Sequence, residues 1–185
     1  MTRPSTIFRE DLLAGKNIII TGGGSGIGRA IAEECAALGA RVAIGARKVE
    51  RLEETAAAIQ ANGGDVFYDA LDIRDEPGVN DWIDRVADRW GKIDVLVNNA
   101  GGQFPSPAIG ISPKGWRAVI DTNLNGTFWM SQAVGKLMIK QKQGHIINIV
   151  ANMWRGFPGM SHTGAARAGV VNLTKSLALE WAKHK

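Results

Sequence analysis

The chain has 185 residues, 45% of them hydrophobic and 22% charged, which suits one domain with a sizeable core and excludes a disordered, collagenous or repetitive protein. Its net charge of +4 is scattered without an arginine-rich run, so no nucleic-acid partner is expected. The single cysteine, Cys35, rules out an intramolecular disulfide and a cysteine-built zinc cluster, and its alanine-rich helical setting suits a small core residue.

Strand and helix patterns then alternate. Asn17 to Thr21 contains three consecutive isoleucines, the mark of a strand buried on both faces. A glycine loop and a helix to Leu38 follow, stopped by Gly39. Arg41 to Ala46 reads as a second strand, and Val49 to Ala61 as a helix with Leu52, Ala56 and Ile59 on one face. Val66 to Ala70 is a third strand, in which Tyr68 is expected in the core. Pro77 suits the first turn of the next helix, whose apolar side is Val79, Trp82, Ile83, Val86 and Trp90. Ile93 to Asn98 is a fourth strand, followed by a loop rich in Gly, Pro and Ser over 101–113. A long helical region from about Lys114 to Lys142 is expected to kink near Asn125-Gly126. His145 to Val150 is a fifth strand, and a last helix starts near Thr163 with Val170, Leu173, Leu177 and Trp181 on one side. Strands separated by helices imply parallel pairing through right-handed crossovers, a doubly wound α/β sheet whose ligands bind at the carboxyl ends of the strands.

The first strand runs straight into Thr21-Gly22-Gly23-Gly24-Ser25-Gly26-Ile27-Gly28, which opens a helix. Glycines here permit a tight turn, close approach of a pyrophosphate and close helix–strand packing, and the helix start offers free amides to phosphate. A carboxylate at the end of the second strand would bind the ribose hydroxyls of NAD. This chain instead reads Gly45-Ala46-Arg47-Lys48, two cations suited to a 2′-phosphate, so NADPH (NADP+) is expected in preference to NADH.

The loop resembles that of the short-chain dehydrogenases/reductases, as do Asp72 after the third strand, Asn98-Asn99-Ala100-Gly101 after the fourth and Asn123 in the long helix. The resemblance covers nearly the whole chain and implies a Rossmann-type fold of three layers, α/β/α, forming one domain over 1–185 with 1–13 as an N-terminal extension. It implies that Asp72 and the following Ile73 line the adenine site, and that Asn99, Ala100 and Gly101 support the sheet and the cofactor floor.

In such proteins a serine, a tyrosine and a lysine do the chemistry, helped by the asparagine. Here Thr163 stands at the tyrosine position, Arg167 at the lysine position, and Val150-Ala151-Asn152 near the serine position holds no serine. A threonine hydroxyl is a very poor acid and arginine keeps its proton, although it can still hold ribose hydroxyls. Ordinary alcohol–ketone interconversion is therefore disfavoured. The segments Gly101-Gly102-Gln103-Phe104, Gly115-Trp116, Gly156-Phe157-Pro158 and His162-x-Gly164-Ala165-Ala166-Arg167 resemble peroxisomal trans-2-enoyl-CoA reductases and bacterial relatives. That implies NADPH-dependent reduction of a carbon–carbon double bond conjugated to a thioester, in which hydrogen-bond donors stabilise the developing enolate. Asn123, Asn152, Ser161 and Thr163 are candidate donors and His162 a further one, with the proton donor unassigned. Met153, Trp154, Phe157, Pro158 and Met160 are candidates for an apolar wall along an acyl chain. A catalytically inactive NADP(H)-binding subunit, or a carbonyl reductase with a displaced acid, are the alternatives.

Relatives by resemblance continue beyond the last helix, so the closing strands of the fold are expected to be absent here, leaving His145 to Val150 as an apolar edge. No stretch is apolar enough to span a bilayer, Met1 to Glu10 lacks the centre of a secretory signal, and Trp181 to Lys185 match no address signal. A cytoplasmic protein with no membrane partner and no metal is expected, assembling as a homodimer or homotetramer through its long helices.

Overall fold

Ile18, Ile19 and Ile20 point alternately to opposite faces of β1 (Asn17–Thr21), and that alternation organises the molecule, a computed structural model of which describes residues 7–184. Ile19 joins Leu96, Trp82, Ile83, Val86, Met130 and Val134 under α3 (Glu76–Trp90) and α5 (Gly126–Gln141). Ile18 and Ile20 join Val42, Ile44, Leu52 and Ile59 under α1 (Gly26–Ala37) and α2 (Val49–Ala61). Each such buried side chain stabilises the fold by about 1.5–3 kcal/mol relative to exposure. Three layers, helix–sheet–helix, follow.

The sheet is parallel and ordered β3-β2-β1-β4-β5, with β2 at Arg41–Ala46, β3 at Val66–Ala70, β4 at Val95–Asn98 and β5 at His145–Asn148. The chain winds outward from β1 to β3, then returns to the other side of β1 to lay down β4. The crevice between the carboxyl ends of β1 and β4 is where such sheets bind ligands. Gly91, at φ 75°, ends α3 in the left-handed conformation that lets the chain turn back. Buried Asp94 accepts the Asn17 N–H at 2.9 Å and Lys92 Nζ at 3.1 Å, locking the start of β4 to β1.

Several boundaries differ from the pattern reading. β4 starts at Val95 because Ile93 is bonded through its N–H and carbonyl to the Gln141 side chain, at 3.0 and 2.9 Å, in place of a strand neighbour. β5 ends at Asn148, although the Ile149 N–H still donates to Asn98 O at 3.0 Å. The region expected as one kinked helix is α4 (Pro113–Ile120), a π-type turn over Asp121–Asn125, and α5. The π turn ends where Gly126 passes Ile73 so closely that a Cβ would lie 2.7 Å from Ile73 Cγ1. The last helix, α6, begins at Ser161 and runs to Trp181. Tyr68 is not in the core: among the described residues β3 pairs with β2 alone, its outer residues alternate outward, and Tyr68 is 36% exposed. Of the N-terminal extension, residues 1–6 lie outside those described. Its end is docked, with the Leu13 N–H donating to Leu38 O at 2.9 Å and Leu13 packed on the core. Among the described residues β5 has one strand neighbour, and no helix is long and apolar enough to cross a membrane.

Candidate active site

Thr21 ends β1 as a buried residue, and its Oγ1 accepts the N–H groups of Asn99 and Ala100 at 3.0 and 2.9 Å. Asn99 Nδ2 donates back to Thr21 O at 3.0 Å. The loop leaving β4 is thereby fixed against the loop leaving β1. Gly22 sits at φ 71°, and a Cβ there would lie 3.1 Å from Ala100 Cα. A Cβ on Gly28 would collide with the Gly22 carbonyl and the Asn99 amide, and one on Gly24 would lie 3.0 Å from Arg51 Cβ. The turn is compact because these positions carry no side chain. Ser25 precedes α1 in extended conformation (φ −163°), and Ser25, Gly26 and Ile27 are exposed, so the first amides of α1 face open space.

Beside this turn lies a cleft of about 310 Å³, bordered by Gly22, Gly24, Ser25, Ala100 and Gly101, with Asp72 and Ile73 across it. Arg47 and Lys48, both exposed, stand at the end of β2 on the same cleft. Arg51 and Arg74 also line it, and sequence reasoning missed both. The signals were the one-turn spacing from Arg47 to Arg51 and the Asp72-x-Arg74 pair. Arg74 grips Asp72 through Nε at 2.8 Å and Nη2 at 2.5 Å. Its hydrogen bond holds the Asp72 carboxyl below the ordinary aspartate range, against a smaller opposing effect of burial, and Arg47 adds to the lowering. The cleft thus presents a cradle of amides and an excess of positive charge, which fits a phosphate-rich dinucleotide.

At the far end of the cleft the π turn places Asn123, which is fully buried. Its Nδ2 donates to Gly102 O at 2.6 Å and Val119 O at 2.9 Å, while Oδ1 accepts the Gly102 N–H at 3.3 Å. Arg167, on α6, reaches under the same loop and donates from Nη1 to Ile149 O at 2.9 Å. A Cβ on Gly101 would lie 2.8 Å from Asn123 Oδ1 and collide with Arg167 Nη2, so Gly101, Asn123 and Arg167 converge. Arg167 is 8% exposed, and burial lowers its pKa below the usual guanidinium value. Among the described residues it has no carboxylate partner, and its Nε has no hydrogen-bond partner. A buried cation with unspent donors suits ribose hydroxyls or an oxyanion.

Other candidates are not gathered around that point. Thr163 is fully buried, its Oγ1 3.5 Å from His162 Nδ1, and it does not border the cleft. Asn152 is exposed on the loop after β5, grouped with Trp154 and Arg155 in a separate hollow. Ser161 is exposed at the start of α6. The apolar wall is broken, because Met153 is buried while Trp154 is 72% exposed. His162 is fully buried, contrary to the usual placing of a loop histidine, with the Phe104 ring edge-to-face at 4.6 Å.

The family model for short chain dehydrogenase matches residues 16–185. The chain belongs to that family. A probable 2,4-dienoyl-CoA reductase of Bacillus subtilis (strain 168) is 45% identical over 90% of this chain and 66% of its own length. Two curated relatives from Caenorhabditis elegans are covered over 60% of theirs, so the chain spans under two thirds of the length of these relatives. Among solved structures, the citronellol catabolism dehydrogenase (AtuB) of Pseudomonas aeruginosa PAO1 superposes with a TM-score of 0.92 at 48% identity, over 96% of this chain and 73% of that one. A metagenomic short-chain oxidoreductase solved in complex with NADP gives 0.89 at 36% identity, over 93% and 79%. In this short-chain dehydrogenase the glycine turn borders the cleft, and Arg167 lies buried beside Gly101 and Asn123.

Proposed function

We propose that this protein is an NADPH-dependent reductase of the conjugated carbon–carbon double bond in a 2-enoyl or 2,4-dienoyl thioester such as an enoyl-CoA. What supports the reading is the residues standing where the family resemblance expects a proton-transferring tyrosine and lysine: Thr163 is fully buried and Arg167 is a buried guanidinium, a side chain that does not serve as a proton shuttle. Reduction of a carbonyl demands a proton at oxygen in step with hydride, which these residues do not supply. Conjugate reduction asks only for stabilised charge at oxygen and a proton taken later from water. The dienoyl-CoA reductase name carried by the Bacillus relative supports the same reading.

Gly22, Gly24 and the α1 amides would hold the pyrophosphate, Arg47 and Lys48 the 2′-phosphate, and Arg167 the nicotinamide ribose. When bound, the dinucleotide supplies hydride to the β-carbon. Asn123 holds the Gly102 peptide in place, fixing the floor on which the reacting end rests. We place the protein in the cytoplasm, assembled as a homodimer or homotetramer through α5 and α6, which sedimentation of the whole protein checks. The functional test is NADPH oxidation with 2-enoyl-CoA and 2,4-dienoyl-CoA of short and long chain. Cofactor binding without turnover across the series would instead favour a non-catalytic NADP(H)-binding subunit, and turnover of a ketone panel alone a carbonyl reductase.

A further inference from the structure

Hydrogen-bond accounting at the start of α6 leaves a donor without a role. Both amide hydrogens of Asn123 are spent, on Gly102 O and Val119 O. The Thr163 N–H donates to His162 Nδ1 at 2.9 Å, so Nδ1 is the acceptor nitrogen and the neutral ring carries its proton on Nε2. His162 is 0% exposed, and its Nε2 meets no hydrogen-bond partner among the described residues. Most buried donors in native folds are paired, so an unpaired one calls for an explanation, and a ligand is one; the core Trp82 Nε1 is another such donor among the described residues.

The side chain packed against that imidazole is Phe104. The Phe104 ring stands at 86° to the imidazole with centroids 4.6 Å apart, and a phenyl ring is at best a weak acceptor. Its other side fills a notch left by Gly115, where a Cβ would lie 2.8 Å from Phe104 Cζ. Phe104 itself is 38% exposed. The loop carrying it is tied on either side, at Gly102 by Asn123 and at Ser106, whose N–H donates to Gly159 O at 2.7 Å. Rotation of the Phe104 side chain breaks neither tie. Gly101 and Gly102, which meet Arg167 and Asn123, precede it by only two or three residues.

We propose that His162 Nε2–H is a substrate-binding donor that takes the carbonyl oxygen of an α,β-unsaturated thioester once the Phe104 ring swings aside; the assignment rests on the enoyl-thioester reductase reading above. As hydride from the reduced nicotinamide adds to the β-carbon, the double-bond pair shifts to join the α-carbon to the carbonyl carbon, and the carbonyl pair becomes a lone pair on an enolate oxygen. The His162 Nε2–H bond to that oxygen strengthens as charge develops. The α-carbon then takes a proton from water, the carbonyl re-forms, and His162 keeps its proton throughout. Thr163 serves by its backbone, through the N–H that fixes the tautomer.

The test uses the whole protein with NADP+ and a saturated acyl-CoA. With ¹⁵N-labelled histidine, the His162 Nε2–H resonance is expected to move downfield on binding the thioester, and an unmoved resonance overturns the proposal without recourse to any variant. His162→Leu should lower kcat/KM for a 2-enoyl-CoA by about 100-fold while NADPH affinity stays unchanged, and His162→Gln, whose amide N–H sits near the same place, should recover much of the loss. A ¹³C-carbonyl acyl-CoA should show a lowered C=O stretch in the wild type and in His162→Gln but not in His162→Leu. Unimpaired turnover by His162→Leu rejects the His162 assignment and leaves the functional reading standing. No turnover of enoyl thioesters by the wild type rejects both.

Discussion

Gly28→Ala puts a methyl group where the Gly22 carbonyl and the Asn99 amide already meet, with the Gly22 carbonyl carbon 2.9 Å from the new Cβ. Neither neighbour is the loose end of a flexible chain. The Gly22 carbonyl is backbone, and Asn99 Nδ2 is bonded to Thr21 O at 3.0 Å. The turn must therefore open, and the Thr21–Asn99 tie must lengthen. Overpacking of this kind costs about 1–3 kcal/mol. For a domain of this size, ~2 kcal/mol corresponds to a fall of about 4–8 °C in Tm. Opening the turn also withdraws backbone amides from the pyrophosphate, and losing about 3 kcal/mol of charge-assisted hydrogen bonding weakens NADPH binding roughly 100-fold. Calorimetric titration with NADPH and a thermal melt read the two effects separately. Gly110→Ala is the control, since a Cβ there would meet only Ser106 Oγ, at 3.4 Å. Unchanged NADPH affinity in folded Gly28→Ala protein would refute the assignment of this turn as the pyrophosphate cradle.

Arg47→Asp should weaken NADPH by about 10-fold or more and leave NADH unchanged or improved, measured as paired Kd values at fixed salt. Arg74→Ala should return the Asp72 carboxyl to the ordinary aspartate range, followed by ¹³C-carboxyl NMR titration. The sign is that of a depressed acid: with Arg74 present, the pair's contribution to stability is in force above the unfolded aspartate value near ~3.9 and is lost as pH falls through the lower folded value. Both side chains are over a third exposed, so the contribution is small and screened by salt. The Cys35 thiol, pushed up to about 11 by burial and by Glu34, should resist disulfide reagents at neutral pH in the folded protein and react on unfolding; rapid labelling of the native state contradicts the burial.

Much of this protein is written locally. Three successive isoleucines, helices stopped by glycine, and a glycine turn between a strand and a helix each report backbone constraints acting within a few residues, so the α/β order, the parallel sheet and the phosphate cradle follow from the sequence alone. Thr163 and Arg167 are likewise visible in the sequence, and it is the family resemblance that sets them at the positions expected of the acid and its lysine. Whether a side chain faces the cleft depends on distant packing, and only the tertiary structure decided that. Tyr68 turned outward because β3 has a single strand neighbour, and Trp154 left the expected wall for the surface. Arg51 and Arg74 joined the cleft because α2 begins, and the loop after β3 starts, at the carboxyl edge of the sheet. His162 is buried against Phe104, which comes from a loop 58 residues earlier. Periodicity records which face of an element is apolar; burial of a polar atom depends on what arrives from elsewhere in the chain, and no local pattern carries that.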